Sequence, residues 1–201
     1  YQWKLNDENG AAIDDSDSLT GSTSVYAVTN YTKFNVQLGE LKGYTGENPR
    51  GHIILPSGIT KIGYNSFQGC SNLTGLVIPE GVTAIDAGAF SGCEKLEKLI
   101  LPSTLTSIEG FAFYQCKNLE GELVLPNNIT FFGEKAFMEC AKITSVKIRS
   151  GYLSEIKDYA FSLKSSISDI RFTVKTQDVK DKLKGSKSGI TDAQITIDSS
   201  I

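Results

Sequence analysis

The chain has 201 residues, a net charge of −3 and hydrophobic residues at 40% of its positions, which suits one domain or two short ones. The nearly balanced charge gives no electrostatic argument for nucleic acid binding. No run of 18 apolar residues occurs, so the sequence predicts no membrane span. The chain starts at Tyr1, which fits a mature fragment trimmed of a leader and equally a start chosen for expression.

Residues 1–50 lack the internal repeat that follows them. The segment Asn6–Gly10 suggests a hairpin turn, and Thr23–Leu38 shows the alternation of a β-rich segment. We expect these strands to cap the open edge of the repeat region, because exposed edge strands must be covered. The acidic stretch Asp14–Asp17 is a candidate for calcium binding, but it lacks the D-x-[DN]-x-[DN]-G spacing. A solvated turn is therefore the favoured interpretation.

Three residue types recur together through the middle of the chain. The cysteines follow one another at intervals of 23, 23 and 24 residues: Cys70, Cys93, Cys116 and Cys140. Prolines and phenylalanines keep the same step: Pro56, Pro79, Pro102 and Pro126, and Phe67, Phe90, Phe113, Phe137 and Phe161. A fixed period of this length is typical of stacked repeat proteins. Function is then sought on surface columns of the stack.

Five units align in register, at 52–74, 75–97, 98–120, 121–144 and 145–168. Each begins with an alternating apolar strand that stops at proline, continues with a second short strand and returns through an A-F-x-G-C-x-x-L turn. The first strand directs these residues into the core: Ile53, Leu55, Leu76, Ile78, Leu99, Leu101, Leu123, Leu125, Val146 and Ile148. The second strand adds Ile59, Ile62, Val82, Ile85, Leu105, Ile108, Ile129, Phe132, Leu153 and Ile156.

The cysteines permit two interpretations. Adjacent rungs lie about 4.8 Å apart, which overlaps the Cα separation of a disulfide. Stacked Cβ vectors point the same way, however, and buried free cysteine behaves as a small hydrophobe. Reduced structural thiols are therefore favoured over disulfides. A zinc site is not expected, because no C-x2-C pair occurs.

The outward positions of the first strands are unusually apolar. We predict that they form one column and a partner-contact surface: Ile54, Val77, Ile100, Val124, Lys147 and Arg171. A sheet face open to water should be polar at such positions, and an exposed apolar strip marks a contact site or a covered surface. Phe131 is a further candidate contact in the second strand. Two alternatives remain: β-propensity alone selects Ile and Val, or the N-terminal segment folds over the strip.

The C-terminal segment 169–201 is predicted to cap the stack. A last rung is expected at Ile170–Val174, a short charged helix at Thr176–Lys184 with Gly185 as its stop, and a final strand at Ala193–Ile197. Several lysines make this end basic, which we interpret as a solvated helix face.

The sequence gives little support for catalysis. His52 is the only histidine, so no second histidine is available for acid–base work, and no G-x-S-x-G, Walker loop or G-x-G-x-x-G occurs. The carboxylates of Asp86 and Glu109 fall in one column, but stacked acidic residues on a turn are normally only solvated. No catalytic, cofactor-binding or metal-binding residue is predicted, and no cofactor.

The repeat pattern L-x-x-I-x-I-P-x-x-V-T-x-I-G-x-x-A-F-x-x-C-x-x-L resembles the BspA-like, treponemal-type leucine-rich repeat, and residues 73–97 match it closely. The resemblance implies a mostly β, short, curved, right-handed solenoid of about five 23–24-residue units, at 51–168, with non-repeat caps at 1–50 and 169–201. The fifth unit departs from the pattern, with Arg149 in place of proline, Tyr152 inserted and Lys164 in place of cysteine. We expect the solenoid to end there.

The resemblance also carries an expected function. Proteins of this type are bacterial or protist surface and secreted proteins associated with adhesion to host matrix proteins or other microbes. It implies an extracellular or cell-surface, non-enzymatic binding module whose partner is a protein or host-matrix component. The alternative is a structural or self-associating surface protein. No catalytic residue is carried over from the family.

Overall fold

The computed structural model describes residues 33–163 and 170–201. The strands are β1 Lys33–Gln37, β2 Glu40–Thr45, β3 Gly51–Ile54, β4 Lys61–Ile62, β5 Leu73–Val77, β6 Ala84–Ile85, β7 Lys98–Ile100, β8 Ser107–Ile108, β9 Glu120–Leu125, β10 Phe131–Phe132, β11 Lys142–Ile148, β12 Glu155–Ile156, β13 Arg171–Val174 and β14 Ile195–Ile197. One helix, α1, spans Gln177–Gly185. The predicted turn at Asn6–Gly10, the acidic stretch Asp14–Asp17 and most of Thr23–Leu38 lie outside the described residues.

The strands form two faces of a mostly β solenoid, as predicted. The short second strands of the units make one sheet with the order β1-β2-β4-β6-β8-β10-β12. The first strands make two separate sheets, β3-β5-β7 and β9-β11-β13-β14. Among the described strands, pairing is parallel except between β1 and β2. This pattern arises because each unit contributes one strand to each face before the chain climbs to the next rung.

The solenoid is longer than the predicted five units. The first-strand positions are occupied by seven strands in succession, because β13 and β14 continue the stack beyond β11. These two strands lack the proline and cysteine of the repeat, but Phe172, Val174 and Ile195 are buried. Apolar side chains at the inward positions are therefore sufficient for stacking, and the rest of the repeat signature is dispensable at this end.

A hairpin caps the N-terminal end of the second-strand sheet. β1 and β2 are antiparallel and are joined by Leu38 and Gly39, whose φ angles are both positive, as a tight two-residue turn requires. β2 then pairs in parallel with β4 and buries Leu41 completely. The Tyr44 ring stacks on Phe67 at 5.7 Å between centroids. The hairpin thus supplies the apolar surface that a preceding unit would have supplied.

The core is a set of continuous columns. The five repeated phenylalanines stack nearly parallel, with successive centroids 5.1, 5.3, 5.2 and 5.6 Å apart, close to the spacing of neighbouring strands. The four cysteines and the predicted inward residues of the second strands are buried beside them. Leu99 and Leu101 were predicted to point into the core. Both pack against it but are only half-buried, so the prediction overestimates their burial. The reason is a break in the sheet, described below.

Helix α1 closes the C-terminal end. Its N-cap is Thr176, whose side-chain oxygen accepts a hydrogen bond from the Val179 amide at 3.3 Å, a typical N-terminal cap. Val179 and Leu183 are four residues apart, so they lie on one face of the helix, and both are buried. The observed helix begins and ends one residue later than the predicted one.

Candidate binding surface

The predicted apolar strip is divided into two parts by the strand register. Ile54 pairs with Val77 and Val77 with Ile100 in one sheet, while Val124 pairs with Lys147 in the other. Ile54, Val77 and Val124 are half-buried, and Ile100 is 43% exposed. The strip is therefore present on the surface, but Ile100 and Val124 are not joined by strand pairing.

Arg171 does not belong to this column, and the prediction that placed it there is wrong. Arg171 pairs with Ser145, which pairs with Glu122, whereas Lys147 pairs with Thr173. Arg171 therefore lies two residues earlier along the strand, in the neighbouring outward column. The error arose because the last rung carries no proline from which its register could be counted.

Phe131 lies on the other sheet. It pairs with Ser107 and Glu155 in the second-strand sheet and is half-buried. The structure therefore places Phe131 apart from the strip of first-strand residues.

Exposed aromatic residues on the turns were not predicted from the sequence. Phe111 and Tyr159 are 38% and 39% exposed and have φ angles of 59° and 61°, a conformation that bulky residues rarely adopt. The Lys135 ammonium lies 5.1 Å from the Phe111 ring centroid, and Tyr114 packs edge-on against the same ring at 5.6 Å. Asn65 and Gly88 occupy the same position in earlier units, and both residue types tolerate a positive φ angle. An aromatic residue at this position was therefore the sequence feature that could have identified Phe111 and Tyr159.

The four cysteines are free and buried. Three of them donate to the carbonyl of a phenylalanine in the preceding unit: Cys93 to Phe67 at 3.3 Å, Cys116 to Phe90 at 3.4 Å and Cys140 to Phe113 at 3.2 Å. Cys70 donates instead to the hydroxyl oxygen of Tyr44 in the N-terminal hairpin, at 3.5 Å. The thiol therefore serves as a small side chain that both packs and donates a weak hydrogen bond.

Burial makes these thiols poor nucleophiles. Loss of water around Cys116, followed by its hydrogen bond with Cys140, raises the pKa of the Cys116 thiol well above its usual value. Burial, followed by the hydrogen bond with Cys70, raises the pKa of Tyr44 to about 12. Because the thiolate is the reactive form, scarcity of thiolate and lack of access together protect Cys116. Hydrogen bonds with Cys93 and Tyr44 lower the pKa of the Cys70 thiol, so that lack of access is what protects Cys70.

We expect the folded chain at pH 8 to resist iodoacetamide at all four cysteines. The same reagent should label four thiols in 6 M guanidinium chloride, because unfolding restores both access and an ordinary thiol pKa. Mass spectrometry of each sample counts the labels. Rapid labelling of Cys116 in the folded chain, with circular dichroism unchanged, would contradict this expectation.

The Asp86 and Glu109 carboxylates, which the sequence placed in one column, are neighbours in the structure. Partial burial and the neighbouring Asp86 carboxylate raise the pKa of Glu109, while Asp86 forms an ion pair with Lys61 at 2.7 Å. No cluster of three or more histidine, cysteine or acidic side chains suited to a metal ion is found among residues 33–163 and 170–201. Within those same ranges no helix is long and apolar enough to cross a bilayer.

The repeat sequence and the fold both resemble those of known proteins. A model of the "BspA type Leucine rich repeat region (6 copies)" matches residues 47–168 and 83–199. A search of curated proteins gave no match. The chain is similar to the solved structure of the T. pallidum leucine-rich repeat protein TpLRR, with 24% identity, a TM-score of 0.61 and coverage of 74% of this chain and 70% of that one.

Two further structures resemble it. The pneumococcal vaccine antigen PcpA has 27% identity and a TM-score of 0.57 over 80% of this chain and 44% of its own. A leucine-rich cell surface protein of Faecalibacterium prausnitzii has 18% identity and a TM-score of 0.50 over 78% of this chain and 56% of its own. These likenesses support the same fold. Because the family match covers well over half of the sequence, the chain belongs to the BspA-type leucine-rich repeat family.

Proposed function

We propose that the chain is a non-enzymatic, extracellular or cell-surface module that recognises a protein or host-matrix partner through its first-strand face. The observation that carries the proposal is the apolar strip, which consists of Ile54, Val77, Ile100 and Val124 with Lys147 at its end. Positions facing water on a sheet are normally polar. Contact with a partner would remove this apolar surface from water, which favours formation of the complex.

Family membership supports a binding role. Leucine-rich repeat proteins of this kind are generally non-enzymatic, and the stacked units of solenoids present extended surfaces to partners. One structural neighbour is described as a cell surface protein and another as a vaccine antigen. These descriptions support the surface location proposed for this chain.

The test is binding of the purified chain to an array of matrix proteins, mucins and glycans. We expect a saturable protein partner, and we expect Val77→Glu combined with Val124→Glu to weaken binding at least tenfold, which is about 1.4 kcal/mol. The physical reason is that each new carboxylate would lose water in the contact without a partner. Biolayer interferometry on the recovered partner gives the Kd of both forms.

The matched control is Tyr64→Glu, which places the same charge on a turn residue that is 70% exposed. It should leave both folding and binding unchanged. Retention of full affinity by the Val77→Glu, Val124→Glu chain, with an unchanged melting temperature, would remove the strip from the proposed contact.

Self-association is the second candidate function. β14 forms one edge of the four-stranded sheet, and Ile197 on it is 42% exposed. An unpaired edge strand can pair with another chain. Light scattering across a hundredfold concentration range tests this candidate: a rising mass that Ile197→Lys abolishes supports it, and a constant monomer mass opposes it.

A further inference from the structure

The first-strand face is interrupted between the third and fourth units. Within the described residues β7 pairs only with β5, and β9 only with β11, although the two strands are consecutive on this face. In earlier units the amide after each strand continues the pairing, from Leu55 to the Val77 carbonyl at 3.0 Å and from Ile78 to the Ile100 carbonyl at 3.1 Å. No corresponding bond joins Leu101 to Val124 in the described part of the chain.

The interruption is local. The Glu120 amide still donates to the Glu97 carbonyl at 3.2 Å, and the side chain of Asn128 donates to the Ser103 carbonyl at 2.9 Å. In the core, Phe113 and Phe137 stack at 5.2 Å as in the other units. The units therefore remain packed behind the face and bonded at both ends, and only the intervening strand segments separate.

An inserted residue coincides with the interruption, although β9 still pairs with β11 through a register shift between Ile143 and Ser145. Proline follows cysteine after nine positions in the second and third units, but Pro126 follows Cys116 after ten. Gly121 lies in this interval and has a φ of 82°, which is favourable only for glycine. One extra residue in one strand shifts its register against the neighbour and leaves groups unpaired.

The interruption forms a cleft of about 510 Å³. Its apolar lining includes Leu99, Ile100, Leu101 and Val124. Leu99 and Leu101 are half-buried, whereas Leu76 and Ile78 at the equivalent positions are 1% and 2% exposed. The separation of the strands thus exposes core leucines beside two rows of backbone donors and acceptors.

Three charged residues line the same cleft: Glu80, Glu122 and Arg149. The Glu80 carboxylate accepts hydrogen bonds from the Ser103 amide and hydroxyl, both at 2.9 Å. Glu122 lies near the start of β9, and Arg149 lies beside Pro126 at its end. Neither forms an ion pair within residues 33–163 and 170–201. Four residues of extended chain separate Glu122 from Pro126, which corresponds to about 13 Å.

We infer that this cleft takes up one extended segment of a protein partner, which adds a strand between the edges of β7 and β9. Only an extended peptide matches two facing rows of amide and carbonyl groups. Alternate side chains of the segment would enter the apolar cleft, and a parallel orientation would place a basic residue near Glu122 and an acidic residue four positions later near Arg149. The sequence class is therefore basic-x-apolar-x-acidic. This inference rests on the proposed function and specifies how the partner is bound.

The first test uses a synthetic peptide as the probe, acetyl-Thr-Lys-Thr-Val-Thr-Glu-Thr-amide, titrated into the 15N-labelled chain. We expect saturable shifts of the amides at 98–102 and 121–126, and slower hydrogen exchange there. The control peptide exchanges the Lys and Glu and should bind at least fivefold more weakly. Equal binding of both peptides, binding at other strands, or no shift at millimolar peptide would overturn the inference.

Two variants of the chain complete the test. Deletion of Gly121 restores the nine-residue interval and is expected to close the cleft and abolish peptide binding. Glu122→Lys is a surface change that should preserve the fold and abolish the preference between the two peptides, because the cleft then carries a basic residue at both ends. If the deletion variant fails to fold, the Glu122→Lys result decides: unchanged preference between the peptides would overturn the inference.

The same variants separate this inference from the proposed function. A partner that loses affinity for the Val77→Glu chain but binds the Gly121 deletion variant with unchanged Kd would contradict the cleft and leave the strip in place. A partner unaffected by both changes would contradict both proposals. Loss of binding on deletion of Gly121, with the strip intact and the melting temperature retained, is the expected result.

Discussion

Replacement of Phe113 by alanine is expected to lower the free energy of unfolding by about 3–5 kcal/mol, the usual cost of removing a buried phenylalanine. Phe113 is fully buried and stacks on Phe90 at 5.3 Å and on Phe137 at 5.2 Å. Its removal opens a cavity and breaks two aromatic contacts, each worth about 0.5–1.5 kcal/mol beyond the buried area. Urea unfolding followed by circular dichroism measures the change.

The matched control lies two residues earlier. Phe111→Ala removes a ring of the same size from the same turn, but this ring is 38% exposed and the residue keeps its positive φ angle. We expect a change of about 1 kcal/mol or less, because the substitution leaves no core cavity. Similar losses for Phe111→Ala and Phe113→Ala would show that the stacked column does not dominate stability.

The position of Phe113 adds a second expectation. It lies on one side of the junction where the first-strand sheet is interrupted, so core packing carries more of the coupling between the third and fourth units. In a stacked repeat protein, stability depends on such nearest-neighbour interfaces. The Phe113→Ala chain should therefore unfold in two steps, and hydrogen exchange should distinguish the two halves. A single sharp transition would indicate that the second-strand sheet alone maintains cooperativity.

The repeating columns could be predicted from the sequence because each unit buries apolar residues at the same positions and the units recur at a nearly fixed period. Once Cys93, Phe90 and Pro79 are aligned with their equivalents, strand alternation decides which neighbours face inward. The structure buries the second-strand residues accordingly. The helix boundaries were also accessible, because Thr176 and Gly185 are residue types that begin and end helices.

The cleft could not be predicted in this way, although the altered spacing at this point is visible in the sequence. The extra residue before Pro126 is a difference of one in a spacing, and pattern alignment absorbs it as a gap. Whether an insertion becomes a bulge, a longer turn or a broken ladder depends on the neighbouring strand. Leu99 was therefore predicted to be buried, and its partial exposure became evident only from the pairing of β7 and β9. The predicted register of Arg171 was wrong for a related reason, because no proline marks the position of that strand.

Gly133→Ala is expected to destabilise the chain by about 1–3 kcal/mol or more, although it adds only one methyl group. A Cβ atom on Gly133 would stand 2.1 Å from the amide nitrogen of Gly110 and 2.5 Å from the carbonyl carbon of Glu109. Both are backbone atoms of the preceding unit, so no side-chain rotation relieves the contact. The two rungs must move apart, which loosens the packing on which the stack depends.

Gly110→Ala is the control at the same junction. Its Cβ would meet the Glu134 carbonyl oxygen at 3.3 Å, a contact that a shift of a few tenths of an ångström relieves. We expect a smaller loss for Gly110→Ala than for Gly133→Ala, measured as the difference in urea midpoint at constant slope. The equivalent residue is Gly63 in the first unit but Asp86 and Glu109 in the second and third, so glycine is not required at this position in every unit. Equal midpoints for the two variants would mean that this junction yields easily, and the close approach of rungs three and four would then not limit stability.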